Sequence, residues 1–470
     1  MATTETPREP LTTTVDIPET VARLRGTFAS GRTKPLAWRR AQLRALRRML
    51  VEERPTLEKV LQDDLGKSPL EAHTTEIGFV INEIDHTLKH LASWLRPERV
   101  SVPMALAPAR ARRVREPLGT VLVISPWNYP VNLALAPMVG ALAAGNSVLL
   151  KPSELAPATS NALADLLPRY LDTEAVAVVE GGVPESTALL AERFDHIFYT
   201  GNSTVARIVM AAAVEHLTPV TLELGGKSPA IVEPGVDLAT VARRLAWGKF
   251  TNAGQTCVAP DCVLAIGDTA AGLQRELGAA ITEMFGSDPR KSPDYGRVVN
   301  ERHFDRLTAL MDSGEVVVGG SSDRADLYIA PTVLGGVSPD SPVMAEEIFG
   351  PILPIVEVAD LDEAIAYVND HEKPLALYGF TDSDVTKRRL TTETSSGAVG
   401  FGLPIAHLAV PDLPFGGVGE SGMGAYHGKA SIDVFSHTKS VLDKSLVMDT
   451  MRVAYAPITQ LKEKILRRML

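Results

Sequence analysis

The chain has almost no cysteine: Cys257 and Cys262 are the only two among 470 residues. That scarcity excludes a disulfide framework and leads us to expect a reducing, cytoplasmic setting. Long apolar runs are missing as well, and none approaches the roughly 18 to 20 residues of a membrane-spanning helix. The opening stretch, MATTETPREPLTTTVDIPET, has no apolar signal core and carries acids, so residues 1–18 are expected to be a loose tail. Excess basic charge is absent too. The net charge is −10, which argues against a nucleic-acid partner, since phosphate neutralisation needs a basic face. The ten histidines show no H-E-x-x-H spacing and the cysteines form no C-x-x-C, so no metal site is expected.

What is present is ordinary for a globular enzyme: 45% hydrophobic and 22% charged residues, on a length that implies more than one domain. From Ile17 to Trp94 the pattern is helical. Leu36, Leu43, Leu46 and Leu50 fall on one face, while Arg39, Arg40 and Arg47 open a basic stripe running to Arg48. That stripe is expected to be solvated or paired with acids. After Gly119 short apolar runs alternate with Ala/Leu-rich helical stretches. The runs are Thr120–Ile124, Ser147–Leu150, Ala175–Val179, His196–Tyr199 and Val220–Leu222. Continuous apolar strands alternating with helices predict a parallel sheet covered on both faces, with a ligand crevice at the strand C-termini. A second α/β unit follows, with strands expected at Ala230–Val232, Cys262–Ile266, Glu315–Val318 and Leu353–Glu357.

Two motif matches fail on context. Gly417-Val-Gly-Glu-Ser-Gly422 fits G-x-G-x-x-G but follows Leu413-Pro-Phe415, not a strand, and is read as a loop near an active site or interface. Gly226-Lys-Ser228 ends like a P-loop, yet Thr221 stands where the first glycine must be.

The chemistry concentrates in Phe250-Thr-Asn-Ala-Gly-Gln-Thr-Cys257. Small polar neighbours and Gly254 suit a thiol held at a cleft. A free thiol is only a few per cent ionised at neutral pH, so a nucleophilic Cys257 needs amides, a nearby positive charge or a base. Glu223, at the end of a predicted strand in Glu223-Leu-Gly-Gly-Lys227, is the candidate base; a salt bridge to Lys227 is its structural rival.

These two segments, with Glu223 and Cys257 separated by 34 residues, resemble the active-site signatures of the aldehyde dehydrogenase superfamily. Pro126-Trp-Asn-Tyr-Pro130, Lys151-Pro-Ser-Glu154, Tyr199-Thr-Gly201 and Glu346-Glu-Ile-Phe-Gly-Pro351 agree in order and spacing. Phe194–Gly201 and Pro414–Gly428 are similar to the class 3 enzymes, with coniferyl-aldehyde dehydrogenases close by. The resemblance implies that Cys257 attacks an aldehyde, that Asn128 and the Cys257 N–H hold the oxyanion, and that hydride loss leaves a thioester. Glu223 would activate the water that hydrolyses it. For the cofactor it implies Lys151 and Glu154 at the adenosine ribose, Thr200 and Gly201 where the chain passes it, Glu347 and Phe349 at the nicotinamide ribose and ring, and Trp127 as a further cofactor-binding residue. Glu154 favours NAD, while NADP stays open. Ala206, where the family often has glycine, and the acid Glu420 depart from the pattern.

The expected architecture is α/β, with two doubly wound parallel-sheet lobes and a small β element for bridging and oligomerisation. Residues 19–100 and 116–222 would form the NAD(P)-binding domain and 223–404 the catalytic domain. Residues 101–115 and 405–450 would bridge, with Val100–Val102 pairing Arg112–Val114, and 451–470 would be a C-terminal tail. By resemblance the enzyme is a homodimer acting on medium-chain aliphatic or aromatic aldehydes. Rival readings are a CoA-acylating dehydrogenase, a catalytically silent cofactor-binding protein and a thiol hydrolase without cofactor.

Overall fold

The computed structural model describes residues 16–469, in which two large sheets and a small antiparallel one organise the chain. Residues 1–15 of the expected tail lie outside the described residues. Asp16 already caps the first helix, Ile17–Ala29, accepting the Glu19 N–H at 2.9 Å. In the helical region, Leu43, Leu46 and Leu50 of helix Leu36–Glu52 are fully buried. Arg47 meets Asp85 and Arg48 meets Glu52 at the surface. Arg39 departs from the solvated stripe. It is buried, because the helix packs it against Gly145, and its guanidinium donates to the carbonyls of Lys34 and Ala143. Those acceptors offset the cost of burying its charge.

The first sheet has six strands in the spatial order Gly422–Met423, Val220–Glu223, His196–Thr200, Thr120–Ile124, Ser147–Lys151 and Val176–Val178. All run parallel except the short Gly422–Met423. Alternate residues serve opposite faces, as the pleat requires. Val121 and Val123 pack with helices Leu36–Glu52 and Asn132–Ala144, while Leu122 and Ile124 pack with Ile17–Ala29 and Ser203–Val214. Strand order reverses about Thr120–Ile124, which has Ser147–Lys151 on one side and His196–Thr200 on the other. Helices leave this reversal point in opposite directions, so a crevice opens beyond the strand ends.

The second sheet has seven strands, ordered Glu315–Val318, Thr332–Gly335, Ile352–Val358, Cys262–Ile266, Pro229–Val232, Ala376–Phe380 and Ala398–Phe401. The two parallel-sheet lobes are those expected from the alternating pattern. Glu315–Val318 is the exception, an antiparallel and largely exposed edge. Its valines read as core, but an edge strand has only one neighbour to cover it. Sequence reasoning did not find Thr332–Gly335, Ala376–Phe380 or Ala398–Phe401. Gly379 and Gly400 break the apolar runs of the last two.

The third sheet joins Glu98–Val100, Ala109–Pro117 and Ser436–Lys444, all antiparallel. The hairpin is offset from the expected register. Glu98–Val100 lies opposite Arg113–Ala111, and Ser101 and Val102 fall outside the strand. The segment from 405 onward divides: Gly422–Met423 extends the first sheet, while Ser436–Lys444 completes the third. Among the described residues no helix is long and apolar enough to cross a membrane.

Candidate active site

Cys257 follows a tight left-handed curl at the end of helix Leu238–Phe250. Asn252 and Ala253 have φ of 53° and 50°, and Gly254 of 74°. Glycine is required at 254, where a Cβ would strike the Gly350 carbonyl. Gln255 braces the curl from within. Its Nε2 donates to the carbonyls of Asn252 (3.0 Å) and Arg297 (2.9 Å), and its Oε1 accepts the Val299 N–H.

This curl delivers Cys257 to a cavity of about 480 Å³ walled by Tyr129, Val258, Ile405, Phe415 and Tyr426, with half-exposed Trp247 at the rim. The N–H groups of Cys257 and Val258 point at the sulfur, but burial prevails and pushes the thiol well above its ordinary range. The carboxylates of Glu347 and Glu223 push it further. At neutral pH such a thiol stays protonated until a positive charge or a base helps it ionise.

Glu223 is the last residue of strand Val220–Glu223 and is buried, and neither carboxylate oxygen has a hydrogen-bond partner among the described residues. Burial raises it well above the usual carboxylate range. The rival salt bridge to Lys227 is overturned. The Gly225-Gly226 turn carries Lys227 away, and its ammonium binds Asp261 at 2.6 Å and the carbonyls of Val343 and Glu346. A buried carboxyl without a partner, held above its ordinary range, is a candidate for proton exchange with water or a thiol.

Asn128 is buried beside the Cys257 loop, its side-chain amide donating to the Gln255 carbonyl at 3.0 Å. An amide nitrogen carries two hydrogens, so one remains for a developing oxyanion. Next to it, the Tyr129 hydroxyl and the Thr256 hydroxyl share a hydrogen bond of 2.6 Å.

The remaining candidates border the crevice of the first sheet. Register sets Lys151 and Tyr199 on either side of Ile124, and Thr200 opposite Glu223. Thr200 Oγ1 and Ser125 Oγ, both at strand ends, are buried without partners. Lys151 is buried and its ammonium meets half-exposed Glu154 at 2.8 Å. Burial pushes the Glu154 carboxyl up, but the hydrogen bond to Lys151, its own backbone N–H and the Lys151 charge together outweigh that and hold it below the usual range. Gly201 leads to Asn202, whose side chain caps helix Ser203–Val214. Orphaned hydroxyls, a buried lysine and a helix N-terminus fit a phosphate- and ribose-bearing cofactor.

On the opposite wall the Gly226 N–H donates to Glu347, and a side chain at Gly225 would collide with that carboxylate. Burial first, and Asp261 second, push Glu347 up to about 8. Phe349 meets Trp127 edge-on at 5.3 Å. The structure therefore joins Asn128 to the Cys257 loop, joins Trp127 to Phe349, and brings Glu223 and Glu347 within electrostatic reach of the thiol. Lys151 and Glu154 stand apart, at the end of a strand farther from Glu223.

The sequence model of the aldehyde dehydrogenase family matches residues 4–441. The chain belongs to the aldehyde dehydrogenase family. The dimeric NADP-preferring aldehyde dehydrogenase of Rattus norvegicus is 50% identical over 94% of this chain and 97% of its own. Aldehyde dehydrogenase family 3 member B1 of Bos taurus is 52% identical over 90% and 91%. Among solved structures, a substrate-bound aldehyde dehydrogenase of Staphylococcus aureus superposes with a TM-score of 0.93 at 41% identity, over 96% of this chain and 99% of that one. An NAD+ complex of a Mycobacterium tuberculosis aldehyde dehydrogenase gives 0.82 at 29%, over 91% and 89%. The protein is an oxidoreductase acting on the aldehyde group, and its curated relatives support the class 3 resemblance.

In this aldehyde dehydrogenase the two departures have local explanations. The Ala206 methyl is buried in the apolar cluster between its helix and the first sheet. Glu420 pairs at the surface with Arg207 at 2.6 Å. The Gly417–Gly422 loop runs beside the Glu223 strand, where the Leu224 N–H reaches the Ser421 carbonyl. Sequence reasoning missed Ser125, Gln255 and Asn252. Asparagine before Ala-Gly was the available signal for a left-handed turn.

Proposed function

We propose that this aldehyde dehydrogenase oxidises medium-chain aliphatic or aromatic aldehydes to carboxylic acids through a thioester on Cys257. The reading rests above all on Cys257 at a largely apolar cavity, electrostatically coupled to the unpartnered carboxyl of Glu223. The thiol gives its proton to Glu223, which passes it to solvent, and the sulfur adds to the carbonyl carbon, forming a C–S bond as the C=O π pair moves to oxygen. Charge on the oxygen is taken up by the free Asn128 amide hydrogen and the Cys257 N–H, each such donor worth roughly 3 to 4 kcal/mol of barrier in comparable acyl chemistry. A bound nicotinamide would supply the hydride acceptor and a positive charge near the thiol; the C–H bond of the tetrahedral carbon breaks as hydride leaves, the C=O bond re-forms, and a thioester remains. Glu223 then takes a proton from water as its oxygen attacks the thioester carbon. The C–S bond breaks, and the acid departs with the thiol restored.

Lys151, Glu154, Thr200, Gly201, Glu347, Phe349 and Trp127 would hold NAD. NADP is the alternative, in keeping with the name of the rat relative. Glu154 opposes a 2′-phosphate by its charge. We assign a homodimer on the same relative's name and on strand Ser436–Lys444, whose outer edge pairs with no other strand among the described residues. Gel filtration tests that, and a monomer would end it. A cytoplasmic location is part of the same reading, supported by the scarcity of cysteine.

The deciding experiment follows reduced-nicotinamide absorbance with hexanal or benzaldehyde and NAD or NADP, beside Cys257→Ala. Cys257-dependent signal continuing past one equivalent without CoA is expected. A strict need for CoA would transfer the reading to an acylating enzyme.

A further inference from the structure

A buried polar cluster outside the reacting groups lies behind Asn128, where two chain segments apart in sequence meet. Lys67 and Glu76 are both fully inaccessible to solvent and pair at 2.6 Å. The lysine ammonium also donates to the Asn128 carbonyl at 2.9 Å and sits over the Tyr129 ring, 3.9 Å from its centroid. The second oxygen of Glu76 accepts the N–H groups of Val131 (3.0 Å) and Asn132 (2.9 Å) at the start of the following helix. The pair therefore grips the segment from Asn128 to Asn132 at each end.

Glu76 reaches this place because His73–Ile77 forms a π-helical turn, a widening that inserts one residue and re-aims the side chains. Neighbouring contacts close the arrangement. Asn132 Nδ2 donates to the Thr75 carbonyl at 3.0 Å. Asn252 Nδ2 donates to the Asn128 carbonyl at 2.8 Å and to the Gln255 carbonyl at 3.1 Å. Glu71 accepts the Asn252 N–H at 2.8 Å. The Asn128 backbone is thus held by two donors while its side-chain amide spans to the nucleophile's loop.

We propose that the Lys67–Glu76 pair is a positioning device that sets the Asn128 amide against the Cys257 loop. The inference rests on the oxyanion role proposed above for Asn128. A buried ion pair is weak evidence for stability, because apolar residues of similar size often replace one at no loss. Its value here is geometric: it fixes a peptide whose side chain must meet an oxyanion to within a fraction of an ångström. A displacement of about 1 Å at such a donor can reduce rate on the order of a hundredfold.

The test is a mutant cycle on the full-length enzyme, comparing native, Asn128→Ala, Lys67→Met/Glu76→Gln and the triple variant. Steady-state kinetics with benzaldehyde and NAD give kcat/KM and KM for each, and thermal melts check folding. The paired substitution should lower kcat/KM for aldehyde by about tenfold or more, with KM for NAD within about twofold. On the Asn128→Ala background the same substitution should change kcat/KM by less than about threefold, since the group being positioned is already gone. Equal losses on both backgrounds, or no loss on the native one, would overturn the proposal. Should the double variant fail to melt cooperatively, Lys67→Met alone carries the same cycle. Asn128→Ala with native activity would instead remove the oxyanion reading, a separate failure visible in the same data.

Discussion

Cys257 and Cys262 stand five positions apart, have the same side chain, and meet opposite fates. Cys262 opens strand Cys262–Ile266, wholly buried, in a compartment it shares with Asp261, Lys249 and Tyr367. Burial pushes its thiol up to about 12, and it takes no part in lining the cavity that Cys257 faces. Cys257 is also raised by burial, yet it faces the cavity, receives two backbone N–H groups and feels two carboxylates. Residue type and thiol pKa do not separate the two. The difference lies in the backbone before each: a left-handed curl that turns a side chain outward, against a regular strand that turns one in.

Exchanging the two thiols gives the largest contrast. Cys257→Ala should lower aldehyde oxidation by about 10⁴-fold or more. Cys262→Ala should leave activity within about twofold and lower the melting temperature by only about 1–2 °C. Alkylation of the folded protein, mapped by mass spectrometry, should label Cys257 alone and faster as pH rises. Next in size, Glu223→Gln should cut steady-state turnover by about 10² to 10⁴ while leaving a first burst near one equivalent of reduced nicotinamide that forms more slowly than in the native enzyme. A burst at the native rate would mean that Glu223 serves water and not the thiol. Asn128→Ala should reduce kcat by roughly 10² to 10³ with NAD binding unchanged by titration.

The smallest effect concerns charge around the thiol. Glu347 is neutral below about pH 8 and anionic above it. A carboxylate accepts ribose hydroxyls better than a carboxylic acid does, so NAD affinity measured by fluorescence should tighten as pH rises through that value. Glu347→Gln should flatten the dependence. A flat profile in the native protein would remove Glu347 from the cofactor's contacts.

Legibility in the sequence follows the range of the interactions. Glu223, Cys257 and Asn128 stand in short segments whose composition is itself unusual, a glutamate before two glycines and a cysteine after Gly-Gln-Thr. Five strands of the first sheet were readable because each is a largely apolar run, while the sixth, Gly422–Met423, falls in a glycine-rich stretch read as a loop. Strands Ala376–Phe380 and Ala398–Phe401 were not, since their glycines look like breaks and only neighbouring strands make them extended. Lys67 and Glu76 carried no signal at all. Their meaning depends on a π-helical turn and on a partner segment beginning at Asn128, neither of which has a local pattern. Arg39 shows the converse error: a basic residue at helix spacing reads as solvated until the carbonyls that receive it are in place.

The first and third sheets both wait for the end of the chain. Strand Ala109–Pro117 pairs along its whole length with Ser436–Lys444, and Val220–Glu223 takes its outer neighbour from Gly422–Met423. Arg115 reaches Asp433 across a sequence separation of 318 residues. During synthesis the N-terminal half therefore emerges with two unpaired strand edges, the kind of surface that recruits other chains. Closure of such long loops is slow relative to local folding. The last strands act as a late fastening, and the period before they arrive is when a nascent chain is most exposed to misassembly with its neighbours on the same message.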